Sequence, residues 1–542
     1  MRSCCYGIAR LVSYGRIQQV FWSSLPVNAP LFSILTRVSS SVSLSSQFSS
    51  SASNNLTSRI PLNTANSSKI ALIFDEERAI TYGQLARYVG QYVSLLHLKY
   101  ALKRGERVLG RVEKNLDSLA LYLATLRLGG IYVPINPSFT DHETEHFVQD
   151  CKPSLLVSCK KKSDDRFHEY VTHVVDAIAL AREAAAAKPT YDVEHVAPHD
   201  LACICYTSGT TGVPKGAMIS HEGLVWNADS LIKAWRFTSD DVLLHLLPFN
   251  HVHGLFISLN CSLFTGSSVV FRPKFAVNDA MKWLPKATVM MGVPTYYSRL
   301  MERNDFGRSV TAGIRLFVSG SAPLSSALWK NFQKRTGSAI LERYGMTEAA
   351  VITSNLYEEE GRIPGSVGKV LEGGELRLSS SGVIEVLLPS LFRGYWRNPE
   401  ETARNFTNDG FFITGDIGSI DHEGYLYLLG RQKDMIISGG LNVYPKEIED
   451  AIDWTQMVNE TAVIGLPHMD LGEAVVAVCA MNTHAQDEKL EATVKERLKL
   501  VLTNYKIPKK IIFVDSLPRN SMGKVQKKLL RECYHKLFLE SK

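Results

Sequence analysis

An eleven-residue segment constrains the fold more than any other feature of the chain. It reads Tyr206-Thr-Ser-Gly-Thr-Thr-Gly-Val-Pro-Lys-Gly216 and directly follows the apolar run Leu201–Cys205. A strand followed by such a loop can surround a phosphate, because glycines let backbone N–H groups converge while hydroxyls and Lys215 add donors and charge. It is not a Walker A loop, since Gly216 stands where that motif has Ser or Thr. A plain turn is the alternative, but the composition of the whole segment favours phosphate binding.

Strand-like and helical patterns alternate through most of the chain. The apolar runs are at 107–112, 130–135, 154–158, 243–247, 268–271, 288–291 and 316–318. A helical pattern lies at Leu116–Leu128, and such alternation predicts βαβ units with parallel sheets whose carboxyl ends carry ligands. We therefore predict an α/β protein: a large N-terminal domain of mixed and parallel sheets with helices, residues 59–430, and a small mobile α+β C-terminal domain, residues 431–542.

The C-terminal prediction depends on a change of pattern near Gly430. Short strands flank one amphipathic helix there, and its apolar stripe comprises Leu490, Val494, Leu498 and Val501. No run of about 18 consecutive apolar residues occurs, so the sequence predicts no membrane span.

Four further motifs follow the glycine-rich segment. They are Tyr344-Gly-Met-Thr-Glu348, Thr414-Gly-Asp416, Gly430-Arg-Gln-Lys-Asp-Met-Ile-Ile-Ser-Gly-Gly440 and Arg519-Asn-Ser-Met-Gly-Lys524. Together, and in this order, the five motifs resemble those of the adenylate-forming (ANL) superfamily, which includes acyl-CoA synthetases, luciferases and peptide-synthetase adenylation domains. The resemblance spans about residues 65–535. It implies an enzyme that uses ATP, Mg²⁺ and CoA.

The resemblance assigns the nucleotide-binding residues. Those implied for ATP are Thr207, Ser208, Gly209, Thr210, Thr211, Gly212, Lys215, Tyr344, Gly345, Asp416 and Arg431. Within this set it stacks Tyr344 on adenine, and it assigns Thr347 to the α-phosphate and Glu348 to the metal. These roles are chemically reasonable: a carboxylate plus phosphate oxygens suits Mg²⁺, and Asp416 can accept hydrogen bonds from two ribose hydroxyls. An ordinary surface acid and a turn-capping Asp are the alternatives.

Lys524 is the predicted catalyst of adenylation. Joining a carboxylate to the α-phosphate brings two anions together, and a positioned ammonium relieves their repulsion. The resemblance also implies Lys433 as the hinge between domains and Gly439–Gly440 as the backbone edge beside the pantetheine arm of CoA. The implied reaction has two steps: carboxylate and ATP give acyl-adenylate and pyrophosphate, and a thiol then displaces AMP.

Several segments resemble one branch of the superfamily, the malonyl-CoA synthetases. They are Pro248-Phe-Asn-His-Val-His-Gly254, Gly292-Val-Pro-Thr-Tyr-Tyr-Ser-Arg299, Arg315-Leu-Phe-Val-Ser-Gly-Ser-Ala-Pro323 and Gly439-Gly-Leu-Asn-Val-Tyr-Pro-Lys-Glu447. The second charge of a short dicarboxylate needs a cation or several donors. Candidates are Arg299, His251 and Ser319, with Arg299 first for the distal carboxylate; a helix-surface arginine is its alternative. At Asn250 and Ala349 the sequence differs from many relatives. The choice among malonate, methylmalonate and succinate as the substrate therefore stays open.

Other functions remain as alternatives. The enzyme could be an acyl-CoA synthetase for another short- or medium-chain acid, or a luciferase-like oxygenase. No carrier-protein domain follows Lys524 in this sequence, which favours CoA over a carrier as the acceptor. A non-catalytic nucleotide-binding protein would be expected to lack Lys524, Glu348 or the phosphate loop. No basic aromatic cluster predicts a nucleic-acid partner.

The N-terminal segment has the composition of a mitochondrial transit peptide. Residues 1–74 contain no Asp or Glu, are rich in Ser, and carry Arg2, Arg10, Arg16 and Arg37. These four arginines supply much of the formal net charge of +6. A secretory signal would need an uninterrupted apolar core, and an unaddressed Ser-rich tail is the other alternative. We predict a transit peptide at residues 1–58 and a mitochondrial-matrix enzyme.

A reporter fusion tests the transit peptide. Residues 1–60 fused to a fluorescent protein should direct it to mitochondria, because basic, acid-free and Ser-rich segments are imported there. Fluorescence microscopy with a matrix marker measures the outcome, and a fusion with all four arginines replaced by Gln is the control. A cytosolic wild-type fusion would refute the prediction.

Overall fold

Four β-sheets organise the chain, and the computed structural model describes residues 54–62, 67–160, 164–208, 214–481, 488–520 and 523–538. The strands of the first two sheets are β1 (Ile70–Ile73), β2 (Ala79–Thr81), β3 (Arg107–Arg111), β4 (Ile131–Pro134), β5 (Leu155–Ser158), β6 (His173–Asp176), β7 (Leu201–Ser208), β8 (Pro214–Ser220), β9 (Val242–His245), β10 (Ser268–Phe271), β11 (Val289–Gly292), β12 (Leu316–Ser319), β13 (Ile340–Met346), β14 (Ala350–Ser354) and β15 (Lys369–Val370). Those of the other two are β16 (Glu375–Leu378), β17 (Val383–Leu387), β18 (Phe412–Ile420), β19 (Leu426–Arg431), β20 (Ile436–Ser438), β21 (Leu441–Val443), β22 (Glu460–His468), β23 (Gly472–Ala480) and β24 (Lys510–Val514).

Helices connect most of these strands. They are α1 (Tyr82–Leu98), α2 (Leu116–Arg127), α3 (Asp141–Cys151), α4 (Ala177–Ala186), α5 (His221–Trp235), α6 (Leu259–Thr265), α7 (Val277–Trp283), α8 (Pro294–Met301), α9 (Arg308–Thr311), α10 (Ser326–Thr336), α11 (Pro399–Arg404), α12 (Pro445–Trp454), α13 (Glu488–Leu498) and α14 (Lys527–Tyr534). Local sequence sets several boundaries: at α1, the Thr81 hydroxyl accepts from the Gln84 N–H while the Gln84 side chain accepts from the Thr81 N–H.

The two larger sheets are mainly parallel. One has nine strands in the order β15-β14-β13-β12-β11-β9-β10-β1-β2, parallel from β13 to β1 and antiparallel at both edges. The other has six strands in the order β6-β5-β3-β4-β7-β8, with only β8 antiparallel. Every residue of β4, β5, β11 and β12 is buried, as expected for strands with helices on both faces.

The remaining sheets lie toward the C-terminus. Strands β16–β19 form an antiparallel sheet, and five strands form the last one in the order β21-β20-β23-β22, with β24 parallel to β23. We call β20–β24 together with α12–α14 the C-terminal unit. Its helices α12 and α13 pack on a core that includes Ile448, Val463, Val475 and Val494.

The predicted α/β class, with a smaller C-terminal α+β part, is confirmed. Seven predicted strands in the large part and the helix predicted at Leu116–Leu128 are present within two residues of their predicted bounds. One detail was wrong: α13 ends at Leu498, so Val501 lies beyond the helix and is 54% exposed instead of continuing the buried stripe. None of the described helices is both long and apolar enough to span a bilayer. The domain boundary after residue 430 stays a prediction; it falls one residue before the end of β19.

Candidate active site

Loops at the carboxyl ends of β9, β11, β12 and β13 form one side of the candidate site, and the β7–β8 hairpin forms another. In this hairpin Thr207 pairs with Lys215 and Ser208 pairs with Pro214. The predicted phosphate-loop residues Gly209, Thr210, Thr211 and Gly212 lie outside the described residues. The structure thus describes the two strands that hold the loop.

Glu348 is a buried carboxylate opposite this hairpin. Its Oε1 accepts a hydrogen bond from the Tyr395 hydroxyl at 3.0 Å and one from the Thr207 hydroxyl at 3.4 Å. Burial raises the pKa of Glu348, while Tyr395, Arg431 and Thr207 oppose the shift. A desolvated carboxylate is stabilised in its ionised form by a cation. The residues present therefore suit a Mg²⁺ ion shared with phosphate oxygens.

The residues before Glu348 occupy the end of β13 and the following turn. Gly345 pairs with Val351 so closely that a methyl group in its place would overlap the carbonyl of Ala350. Thr347 is half-buried on the turn. Because Gly345 has no side chain, β14 can lie close against β13 at the turn that carries Thr347 and Glu348.

Tyr344, Asp416 and Arg431 form a connected group. The Tyr344 hydroxyl donates to Asp416 Oδ2 at 2.5 Å, and Arg431 Nε lies 3.2 Å from Asp416 Oδ1. Asp416 and Arg431 are directly paired between β18 and β19. The nearby Asp416 raises the pKa of Arg431. The arrangement offers an aromatic ring, a carboxylate and a cation to one ligand, which suits a nucleoside phosphate.

Lys215 has a partner that the sequence did not indicate. Its ammonium forms an ion pair with Glu401 and lies 5.0 Å from the centre of the Tyr395 ring. Lys215 lowers the pKa of Glu401. Tyr395 thereby contacts both Lys215 and Glu348, so the segment around α11 supports the phosphate loop.

Lys524 extends from the C-terminal unit toward the same group. The Lys524 N–H donates to Asn520 Oδ1 at 3.0 Å, and Arg519 forms a β-bridge with Val525, which together close the loop. Part of the residue is exposed to solvent, but burial of its ammonium group by the surrounding protein lowers the pKa of Lys524 to about 8. The charged residues that act on it are Arg431, Asp416, Arg343 and Glu348. The structure thus brings Lys524 together with the predicted nucleotide site.

Two predicted features of the C-terminal unit lie elsewhere. Lys433 is exposed in a short helical turn between β19 and β20. Gly439 and Gly440 form the exposed tip of the β20–β21 hairpin, with φ of +59° and +79°, a conformation that favours glycine. Lys433 nevertheless lies near the group around Asp416: burial and the charge of Arg431 lower its pKa, and Asp416 opposes that shift.

A cavity of about 220 Å³ adjoins the Lys524 loop. It is lined by Leu247, Pro248, Val293, Thr295, Tyr296, Arg299, Arg519, Asn520 and Gly523. Arg299, on α8, is exposed and has no hydrogen bond or ion pair within the described part of the chain. The cavity therefore offers an unpaired cation to a small anion next to Lys524.

His251, His253 and Ser319 also present unpaired polar atoms. The Nε2 atoms of both histidines and the Oγ atom of Ser319 are buried without a hydrogen-bond partner among the described residues. Burial, with a smaller contribution from Lys524, lowers the pKa of His251 to about 3. His253 begins a π-helical turn (His253–Ser258), a form that is frequent at functional sites. At neutral pH these groups are uncharged and free to contact a ligand.

Lys114 anchors the loop that carries the two histidines. It is buried, and its ammonium donates to the carbonyls of His245 and Leu247, both at 2.9 Å. His245 is the last residue of β9, and Leu247 directly precedes Pro248. Five residues around the site were not predicted from the sequence: Lys114, Tyr395, Glu401, His253 and Arg343. Of these, only His253, two residues after His251, lies inside one of the motifs described above.

Two family models match the chain. An AMP-binding enzyme model matches residues 63–396, and an AMP-binding enzyme C-terminal domain model matches residues 447–524. The malonate–CoA ligase of Arabidopsis thaliana is 34% identical over 519 residues, covering 86% of this chain and 83% of that protein. The mitochondrial malonate–CoA ligase ACSF3 of Mus musculus is 35% identical over 482 residues, covering 79% of this chain and 82% of that protein.

Solved structures agree with these matches. The crystal structure of ATP-bound MatB from Rhodopseudomonas palustris aligns with a TM-score of 0.86 at 42% identity, covering 90% of this chain and 100% of that one. The apo form of the same protein aligns with a TM-score of 0.76. The present arrangement is therefore nearer to the ATP-bound form. The chain therefore belongs to the AMP-binding (adenylate-forming) enzyme family, and it is an AMP-forming acid–CoA ligase.

Proposed function

We propose that the enzyme activates malonate, and malonate-like short dicarboxylates, to their CoA thioesters. The observation that carries this proposal is the unpaired Arg299 at a cavity of about 220 Å³ beside the Lys524 loop. Pockets for drug-sized ligands measure about 300–1,000 Å³, so this cavity suits a short acid better than a long alkyl chain. The malonate–CoA ligases of Arabidopsis and mouse support the same substrate.

In the first step, the substrate carboxylate attacks the α-phosphorus of ATP, and pyrophosphate leaves. We assign Lys524 to stabilise the negative charge that develops between the two anions, with Thr347 at the α-phosphate. Tyr344, Asp416 and Arg431 hold the nucleoside. Glu348 would hold Mg²⁺, which when bound neutralises charge on the phosphates.

In the second step, the thiolate of CoA attacks the acyl carbon and AMP leaves. The exposed Gly439–Gly440 hairpin lacks side chains that would block a narrow pantetheine arm. We propose that the C-terminal unit rotates about Lys433, which removes Lys524 from the site and brings this hairpin in.

The compartment is part of the same proposal. We assign the enzyme to the mitochondrial matrix, on the composition of residues 1–58 and on the mitochondrial designation of the mouse relative.

A substrate panel tests the proposal. With malonate, methylmalonate, succinate, acetate and a long-chain acid, malonate should give the highest kcat/KM, because only a short dicarboxylate can fill the cavity and pair with Arg299. AMP release with CoA and ATP–pyrophosphate exchange are the measurements. Arg299→Gln should lower kcat/KM for malonate about 10-fold or more, since hydrogen bonds to charged groups contribute about 1.5–3 kcal/mol, and should affect acetate less. A preference of the wild type for acetate or the long-chain acid would refute the proposal.

Lys524→Ala separates the two steps. It should lower the adenylation rate by at least about 10²-fold, the scale seen when one transition-state donor is removed. It should change thioester formation from preformed malonyl-adenylate much less. Single-turnover assays of each half-reaction measure this, with Lys528→Ala, on the exposed side of α14, as the control. Equal losses in both half-reactions would contradict the role of Lys524.

The pH dependence of adenylation follows from the same lysine. The pKa of Lys524 in the free enzyme is about 8, below its usual 10.5, so the ammonium is lost as pH rises through about 8. The kcat/KM for ATP–pyrophosphate exchange should therefore fall above pH 8. In Lys524→Arg the remaining activity should persist to higher pH, because guanidinium stays protonated. An unchanged alkaline limb in this variant would assign the titration to another group.

A further inference from the structure

Lys114 connects the two large sheets at their carboxyl edges. It lies between β3 of the six-stranded sheet and the start of α2, and its side chain reaches the end of β9 in the nine-stranded sheet. Besides the two carbonyl groups described above, the ammonium lies 2.6 Å from Nδ1 of His245. Lys114 is 8% exposed, and within the residues that the structure describes no acid forms an ion pair with it. The chain at the end of β9 is therefore the partner of this cation.

His245 links Lys114 to the carbonyl group of Gly254. Its Nε2 lies 2.9 Å from that oxygen, so Nε2 carries the hydrogen that makes this bond. Nδ1 is then left to accept a hydrogen bond from the ammonium. All these hydrogen bonds are satisfied at once when the two side chains share one extra proton, with an ammonium at Lys114 and a neutral imidazole at His245. The two residues therefore act as one connected unit.

Two aromatic rings stabilise this cation in the absence of an acid. The ammonium lies 4.9 Å from the centre of the Phe271 ring and 5.5 Å from that of Phe249. The imidazole of His245 stacks on Phe271, with the ring centres 5.9 Å apart. Ring faces attract a desolvated cation, and the three acceptor atoms occupy all three N–H groups of the ammonium. Because the protein itself satisfies the cation, its role is to hold the chain and not to bind a ligand.

His245 closes a loop in the chain that follows β9. The backbone of Gly254 packs so tightly against Pro248 that a Cβ atom at Gly254 would lie 2.0 Å from the Pro248 carbonyl oxygen. The Ser258 hydroxyl donates to the Gly254 carbonyl at 3.0 Å. Residues 246–254, which we call the histidine loop, therefore begin directly after His245 and return to it at Gly254.

One side of the histidine loop forms part of the cavity wall. Leu247 and Pro248 line the cavity of about 220 Å³, whereas Lys114 and His245 are not among its lining residues. A displacement of the loop would therefore change the space available to the acid. The nucleotide-binding group around Asp416 would keep its own contacts, because it belongs to another sheet.

We propose that Lys114 and His245 are positioning residues that hold the histidine loop in the conformation required for acid binding and adenylation. They act through the loop and do not contact the substrate. The inference rests on the proposed function only in placing the acid in this cavity, and it applies to whichever acid the enzyme prefers.

Lys114→Met in the full-length enzyme is the first test. Met fills a similar volume but donates no hydrogen bond, so the histidine loop should lose its anchor. In ATP–pyrophosphate exchange the KM for malonate should rise about 10-fold or more, the range for losing a hydrogen bond to a charged group, and the KM for ATP should change less than about threefold. Hydrogen exchange in peptides covering 246–258 should become faster. Equal changes in the two KM values would overturn the inference.

Two substitutions of His245 test the link to Gly254. The amide N–H of Gln can replace Nε2–H as the donor to the Gly254 carbonyl, whereas Phe fills the space of the ring and donates nothing. His245→Gln should keep the KM for malonate within about threefold of the wild type, and His245→Phe should raise it about 10-fold. Equal KM values for the two variants would contradict the role of His245. This comparison decides the inference even if Lys114→Met does not fold.

A buried arginine at the opposite end of α2 is the matched control. Arg127 donates to the backbone carbonyls of Tyr191 and Asp192. Arg127→Met should lower the thermal midpoint, because these carbonyls lose their donor, and should leave both KM values unchanged. Lys114→Met combined with His245→Phe should raise the KM for malonate no further than the larger single effect, because both changes break one connection. Additive effects would overturn the coupling of the two residues.

The outcomes separate this inference from the proposed function. If the wild type prefers acetate or a long-chain acid, the malonate proposal fails, and the same KM comparison with the preferred acid decides the role of Lys114. If the wild type prefers malonate but Lys114→Met changes neither KM, only the inference about Lys114 and His245 is refuted.

Discussion

The ion pair between Asp416 and Arg431 is the interaction on which the assembled site depends. Arg431 is the last residue of β19, and the chain enters the C-terminal unit through the turn that follows it. The pair therefore fixes the group that would hold the ribose at the point where the two parts of the chain meet. Asp434, three residues later, pairs with Arg531 of α14 at 2.7 Å. The position of Lys524 relative to Asp416 is set by these short connections together with the contact between Gly523 and Thr295.

Charge in the acyl pocket is controlled by which side chains can ionise there. Burial lowers the pKa of His251 to about 3 and holds that of His253 well below its usual value, so both histidines donate or accept as neutral groups. The positive charge comes from Lys524, Arg343 and Arg299. No described acid forms an ion pair with either arginine, so this region carries an excess of positive charge before any substrate binds. Preorganised charge of this kind needs no rearrangement when the substrate arrives.

Much of the fold and part of the site could be predicted from the sequence. Fully buried parallel strands such as β5 and β12 are continuous apolar runs, and the motif residues Glu348, Asp416 and Lys524 are brought together as the resemblance implied. The partners of these residues could not be predicted. Glu401 is 186 positions from Lys215, and Tyr395 is 47 from Glu348, and only tertiary structure sets such pairs. Arg343 was not predicted because a charged residue within a strand usually indicates a solvent-facing position, whereas Arg343 is buried.

The opposite pKa shifts of Glu348 and Lys524 indicate how binding energy is used. Burial raises the pKa of the carboxyl and lowers that of the ammonium, so both charged forms are disfavoured in the ligand-free site. The two groups do not pair with each other to relieve this. A metal ion beside Glu348 would stabilise the ionised carboxylate in place of water. The substrate carboxylate and the α-phosphate would do the same for the ammonium of Lys524. Under the role proposed for Lys524, this stabilisation would be greatest when the two anions are closest together, which is the condition for favouring the transition state over the bound substrates.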